Sequence, residues 1–360
     1  MLLVYFTIGL IITILIIISS AGTVLGDLVT ASIPVGEFPQ ALVFNPSNNY
    51  TYVSNRDSGT VSVIDSTSNS VIKNITVGSS PGQLLFNPSN NNIYVANAIS
   101  NTVSVIDRTN MTANEIEVGS NPLALEINPS NKNIYVANAI SNTVSVIDST
   151  KMTANEVEVQ TSPVALEFNP SNNNIYVANR DSGTVSVIDS TSNSVIKNIT
   201  VGSSPEQLLF NPSNNNIYVA NRDSGTVSVI DSTSNSVIED TSVEPSPVAL
   251  EFNPSNNNIY VANRDSGTVS VIDSTNNALL KNVVVGSEPV ALEFNPSNNN
   301  IYVANVVSNS VSMIENTNNT VTDTLSVSSL PIALEFNASN DSVYVAGTLT
   351  GTEGLVSVIG

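Results

Sequence analysis

From about residue 28 onward the chain is a succession of short runs in which apolar and polar residues alternate, separated by clusters of Asn, Ser, Asp, Pro and Gly. Strict alternation is the pattern of a half-buried strand, and those clusters are turn formers. The unit that starts at Pro247 predicts four strands. Val248–Phe252 is the first, and Asn253-Pro254-Ser255-Asn256-Asn257-Asn258 turns the chain. Ile259–Ala262 is the second, followed by the turn Asn263-Arg264-Asp265-Ser266-Gly267. Thr268–Ile272 is the third, Asp273–Asn277 turns again, and residues 278 to 285 form the fourth. No segment of this region sustains a helical period of 3.6 residues.

The unit repeats. The motif Tyr-Val-(Ala/Ser)-(Asn/Gly) starts at Tyr52, Tyr94, Tyr135, Tyr176, Tyr218, Tyr260, Tyr302 and Tyr344, at spacings of 41 or 42 residues. A proline marks each unit near residues 39, 81, 122, 163, 205, 247, 289 and 331. A period near 42 with four strands per repeat predicts an all-β fold, a β-propeller of four-stranded antiparallel blades. Eight units predict eight blades; a seven-bladed ring with one unit left over is the alternative, and it would expose an unpaired apolar face. The last unit has strand patterns at residues 332–336, 343–346 and 355–359 and no fourth. Residues 28–36 resemble the fourth strand of an internal unit, with Ile33, Val35 and Gly36 placed as Ile199, Val201 and Gly202 are. They are therefore expected to complete the last blade as its outermost strand, where the missing N–H of Pro34 is tolerated.

The string Ile-Tyr-Val-Ala-Asn-x-x-Ser-x-Thr-Val-Ser-Val-Ile-Asp at Ile217–Asp231, repeated along residues 28–360, resembles the YVTN family of β-propeller repeats. That resemblance implies a cell-surface protein of the kind found in archaeal surface layers, and family propellers are often seven-bladed. WD40 blades have a similar length, but their signature needs Gly-His and Trp-Asp, and this chain has no His and no Trp.

Ahead of the repeats, Met1–Ile18 carries no charged side chain and is followed by Ser19-Ser20-Ala21-Gly22. About 18 mostly apolar residues at roughly 1.5 Å each nearly cross a hydrocarbon core, and the small residues after them resemble a signal-peptidase site. Residues 1–21 are thus expected to be a signal peptide or membrane anchor, with 22–27 a linker and 28–360 the propeller. Either way the propeller lies outside the membrane, extracellular or at the cell surface.

Composition narrows the chemistry. The formal net charge is −20 and only 11% of residues are charged, so a phosphate backbone is repelled and nucleic acid is excluded as a partner. With neither Cys nor His, thiolate nucleophiles, imidazole bases and His/Cys zinc sites are absent. Asn55–Pro81 and Asn179–Pro205 are identical, and Asn97–Val118 nearly repeats as Asn138–Val159. An active site needs different groups in different roles, whereas interchangeable blades suit a scaffold. The expectation is a non-catalytic surface propeller without a cofactor, a structural, adhesion or binding scaffold whose partners are other cell-surface proteins or polysaccharide. A calcium-assisted hydrolase of lactonase type is the alternative, because oxygen ligands are plentiful.

Three sets of residues are candidates for more than folding. The acid ending each third strand, such as Asp65, Asp189 and Asp273, reads as an Asx-turn. Arg56-Asp57, Arg180-Asp181, Arg222-Asp223 and Arg264-Asp265 share one turn position and read either as solvated turns or as a charged rim. Glu126, Glu167, Glu251, Glu293 and Glu335 occupy one position of five innermost strands, with Val43, Leu85 and Leu209 in its place elsewhere. Converging carboxylates raise one another's pKa or recruit a cation, which predicts a weak Ca²⁺ site at the axis; local satisfaction by backbone donors of the adjacent blade is the simpler outcome. Asn-x-Ser/Thr sequons at Asn49, Asn74, Asn110, Asn198, Asn318, Asn337 and Asn340 permit glycosylation of an exported chain.

Overall fold

The computed structural model describes residues 27–327, 329–349 and 352–360. These form thirty-two strands in eight four-stranded antiparallel sheets. Blade one runs from the inner strand Pro39–Asn45 through Tyr50–Asn55 and Thr60–Asp65 to the outer strand Ser70–Thr76. The inner strands of blades two to seven start at Pro81, Pro122, Pro163, Pro205, Pro247 and Pro289. Blade eight takes Leu330–Asn337, Ser342–Thr348 and Gly354–Ile359 from the end of the chain and Val29–Val35 from its beginning. The ring has eight blades, and the N-terminal strand closes it as the alternation predicts. Ile33 lies opposite Val356 and Pro34 opposite Leu355 in that pairing. The expected N-terminal segment 1–21 lies outside the described residues, as does the expected linker apart from Asp27.

The core lies between blades. Tyr176, Val185 and Val187 of blade four pack against Leu208, Ile217 and Val219 of blade five. At the closure, Ile33, Tyr344, Val356 and Val358 of blade eight meet Leu42, Val53 and Ile64 of blade one. Each motif tyrosine is buried as a ring but keeps its hydroxyl paired. Tyr176 Oη donates to Asn235 Oδ1 of the next blade at 2.6 Å, and Tyr344 Oη reaches Asn69 Oδ1 of blade one at 2.7 Å. Tyr302 has no such Asn ahead of it, since the outer strand of blade eight comes from the N-terminus. Asp27, just before that strand, takes the place and accepts the Tyr302 hydroxyl proton.

Turns set the two faces. The turns between second and third strands, and the links from each outer strand to the next inner strand, form one face, here the rim face. Position five of those turns needs a left-handed backbone: Gly59, Gly183, Gly225 and Gly267 sit at φ of 59 to 66°, and Asn101, Asn142 and Asn309 replace them. The opposite face carries the Asn-Pro-Ser-Asn turns and the acids ending the third strands. Asp65 Oδ1 accepts from Thr67 N at 2.8 Å, Asp189 from Thr191 N and Asp273 from Thr275 N at 2.9 Å, so these acids cap Asx-turns.

Candidate functional site

The rim. The Arg-Asp-Ser-Gly turns of blades one, four, five and six each border a shallow pocket, whose other wall is the link into the following blade. The pocket between blades four and five is lined by Arg180-Asp181-Ser182-Gly183 and Ser203-Ser204, with a volume near 430 Å³. The same construction at Arg56 encloses about 540 Å³ and at Arg264 about 320 Å³. Between blades five and six it widens to about 780 Å³.

The side chains there form a chain of ion pairs. Arg222 Nε lies 2.9 Å from Asp223, and its Nη1 lies 2.8 Å from Glu206, the one acid at the second position of any inner strand. Arg180 approaches the same Glu206 at 3.8 Å. Burial raises the Glu206 pKa against the pull of these arginines. Arg56 stacks over Phe38, 4.9 Å from the ring centroid. Blades two and three put Ile99 and Ile140 at the Asp position, 74% and 71% exposed, and blade seven puts Val307 there. Four of the five arginines of the chain occupy this one turn position. Each has an acid beside it, so the rim is zwitterionic rather than basic.

The channel. Inner strands border the axis, and each bulges against its neighbour just after the marker proline. Each inner strand is the edge of its sheet, so the amides on its channel side lack a strand partner. Glu167 Oε1 accepts from Phe210 N at 3.1 Å, Glu293 from Phe336 N at 3.0 Å and Glu335 from Phe44 N at 2.9 Å, in each case a residue of the following blade. Glu126 instead turns back to its own Ile127 N at 3.1 Å. Burial pushes the pKa up to about 7 for Glu167 and Glu293, and burial with the Glu293 charge raises Glu335 to about 8. Glu126 and Glu251 also lie well above the usual carboxylate range, through burial first and then the charges of Glu167 and Glu293. Among the described residues no three acidic side chains come together in a grouping that would hold a metal ion.

Two residues of this belt escaped the sequence reasoning. Gln83 Oε1 accepts from Leu125 N and Gln207 Oε1 from Leu250 N, at 2.5 and 2.6 Å. They stand on the inner strands of blades two and five, whose fifth position is Leu85 or Leu209. The sequence signal was the joint exchange of Ala-Leu-Glu for Gln-Leu-Leu. Of the sequons, Asn74, Asn110, Asn198 and Asn318 are exposed, whereas Asn337 is wholly buried.

Similar proteins share the fold. The family model described as Lactonase, 7-bladed beta-propeller matches residues 70–195 and 146–236, less than half of the chain. No curated protein matches. Among solved structures, Kuenenia stuttgartiensis hydrazine synthase superposes with a TM-score of 0.65 at 21% identity, over 78% of this chain and 96% of that one. Dihydro-heme d1 dehydrogenase NirN in complex with DHE gives 0.72 at 15% identity, over 89% of this chain and 74% of that one. At these identities the likeness is one of fold. The chain is a β-propeller of tandem repeats.

Proposed function

We propose that this protein is a non-catalytic, multivalent binding scaffold of the cell envelope, a surface-layer or adhesion propeller of YVTN type that holds a polysaccharide on its rim face. The observation that carries the proposal is the recurrence of one pocket, built from Arg-Asp-Ser-Gly and a serine-rich link, on four blades. A polymer with a repeating unit engages several similar sites at once, and linked weak contacts raise avidity by about 10²–10⁴ over one. A zwitterionic pocket supplies donors and acceptors together, as hydroxyl-rich ligands require.

The chain's entry point suits this role. The outer strand of blade eight starts on the face opposite the rim, where Asp27 meets Tyr302. The apolar segment ahead of it exports or anchors the chain, so the rim is turned away from the attachment and toward the surroundings. The membrane is touched only through that segment. The test is co-sedimentation of the full-length protein with insoluble polysaccharides, together with proteolysis of intact cells. Retention on the polymer and surface accessibility support the proposal. Capture of another surface protein with no polymer bound would replace polysaccharide by protein as the partner.

A second reading rests on the lactonase match over residues 70–236. A calcium-assisted hydrolase would turn over lactones or esters in added Ca²⁺ and lose that activity on substitution of a single carboxylate.

A further inference from the structure

The pockets of the rim are not equal. In blades one, two, three, five and seven the link residue after the conserved glycine donates its N–H to a turn serine: Glu37 to Ser58, Ser79 to Ser100, Ser120 to Ser141, Ser203 to Ser224 and Ser287 to Ser308. The link between blades five and six reads Val243-Glu244-Pro245-Ser246. Pro245 has no N–H to donate, and Glu244 stands where the glycine would be. The link into blade four also makes no such bond, and beside Pro245 the cleft reaches about 780 Å³ against 320 to 540 Å³ at the sister turns. That is within the usual size of a small-ligand site.

The walls of this cleft divide by chemistry. Val243 and Pro245 give it an apolar side that the pocket between blades four and five lacks. Arg222 and Asp223 are already committed: Arg222 to Glu206 and Asp223, and Asp223 to Ser204 Oγ at 2.5 Å. Arg264 and Asp265 are not. Their separation is 3.5 Å, the other acid near Arg264, Glu288, is at 3.9 Å, and both side chains are about half exposed. Donor and acceptor thus stand side by side with hydrogen-bonding capacity to spare.

We propose that the cleft between blades five and six is the principal saccharide site of the rim, and that it takes a neutral hexose unit. This rests on the polysaccharide reading above. One hydroxyl of a vicinal diol accepts from the Arg264 guanidinium while its neighbour donates to the Asp265 carboxylate, and the C–H face of the ring lies on Val243 and Pro245. An anionic sugar would meet Asp223 and Asp265, with Glu206 and Glu288 nearby, and a cationic one would meet Arg222 and Arg264. A neutral diol meets neither repulsion and uses both signs.

The test is calorimetric titration of the full-length protein with neutral tetrasaccharides of glucose, mannose and galactose, and with the tetramer of galacturonic acid. A neutral tetrasaccharide should bind, and Arg264→Gln and Asp265→Asn should each weaken it at least tenfold. Pro245→Ser, which restores the N–H of the sister links, should weaken it as well. Asp181→Asn, in the narrower pocket, should change it less than twofold. These side chains are exposed, so circular dichroism should show unchanged folding in all four variants. Equal losses at Asp181 and Asp265, or tighter binding of the galacturonate tetramer, would overturn the assignment. If the polymer sediments with the protein but no tetrasaccharide binds, the principal-site assignment fails and the multivalent scaffold stands. If neither binds, both fail.

Discussion

Glu335 of the last blade accepts a hydrogen bond from the backbone N–H of Phe44 in the first, at 2.9 Å across the seam where the ring closes. The two residues are 291 positions apart, and the same bond joins consecutive blades at Glu293 and Phe336 and at Glu167 and Phe210. The carboxylates around the axis therefore supply acceptors to amides on the open channel edge of the inner strands. Their first role is mechanical. They tie blade four to five and seven to eight, and they also bridge the seam from eight to one.

Replacing Glu335 should separate shape from charge. Glu335→Gln keeps an acceptor for Phe44 N and removes the need to take up a proton on burial, so stability at pH 7 should hold or rise. Glu335→Ala leaves the part-buried Phe44 N–H without its acceptor, which costs about 0.5–1.5 kcal/mol. Denaturant unfolding at pH 7 checks both. Equal loss in the two variants would show that the bond to Phe44 is not what Glu335 provides.

The belt also gives the fold an unusual pH dependence. In the unfolded chain these glutamates titrate near 4.3, whereas Glu167 and Glu293 titrate at about 7 and Glu335 at about 8 when folded. Between those limits the folded protein binds more protons than the unfolded one, so stability falls as pH rises. The stabilising contribution is complete below about pH 4 and is lost as pH climbs through about 7 to 8. Melting temperature should decline from pH 5 to pH 9, and Glu335→Gln should flatten the decline. A protein more stable at pH 9 than at pH 5 would contradict this picture of the channel.

Closure by the N-terminal strand can be tested by removing it. Without residues 22–36, Gly354–Ile359 becomes an open edge and the pocket that holds Ile33 beside Val356 and Val358 is uncovered. Open edges pair with other chains. The truncated protein should melt well below the full chain and self-associate in sedimentation experiments. A monomer of unchanged stability would rule the closure out.

How much of this was readable in advance depended on whether the feature was periodic. The eight tyrosines and the marker prolines count the blades, because each serves the same packing in every unit. Ile33, Val35 and Gly36 mark the closing strand for the same reason. The end strands were placed less well: the second strand of the last unit runs to Thr348, past the expected 346, because Gly347 and Thr348 stay paired with Leu355 and Gly354. Asp27 taking the part of an Asn was not foreseeable, since it lies outside the repeat. The roles of Gln83 and Gln207 depend on which amides of the next inner strand face the channel, and that is a matter of register. Pro245 is plain in the sequence.

The rim is the centre of the account, and stepwise removal of its pockets tests it most directly. The full-length protein is compared with variants carrying Asp→Asn at Asp265, then also at Asp223, Asp181 and Asp57, each measured for affinity to one soluble neutral polysaccharide. Such exposed pairs contribute about 0–1 kcal/mol to stability, so the fold should survive all four changes. Multivalent binding predicts a progressive loss of polymer affinity, largest at Asp265, continuing at Asp181 and Asp57, and smallest at Asp223, which Arg222 and Ser204 already hold in the cleft of Asp265. Affinity that stays constant through all four substitutions would contradict the binding role of the rim.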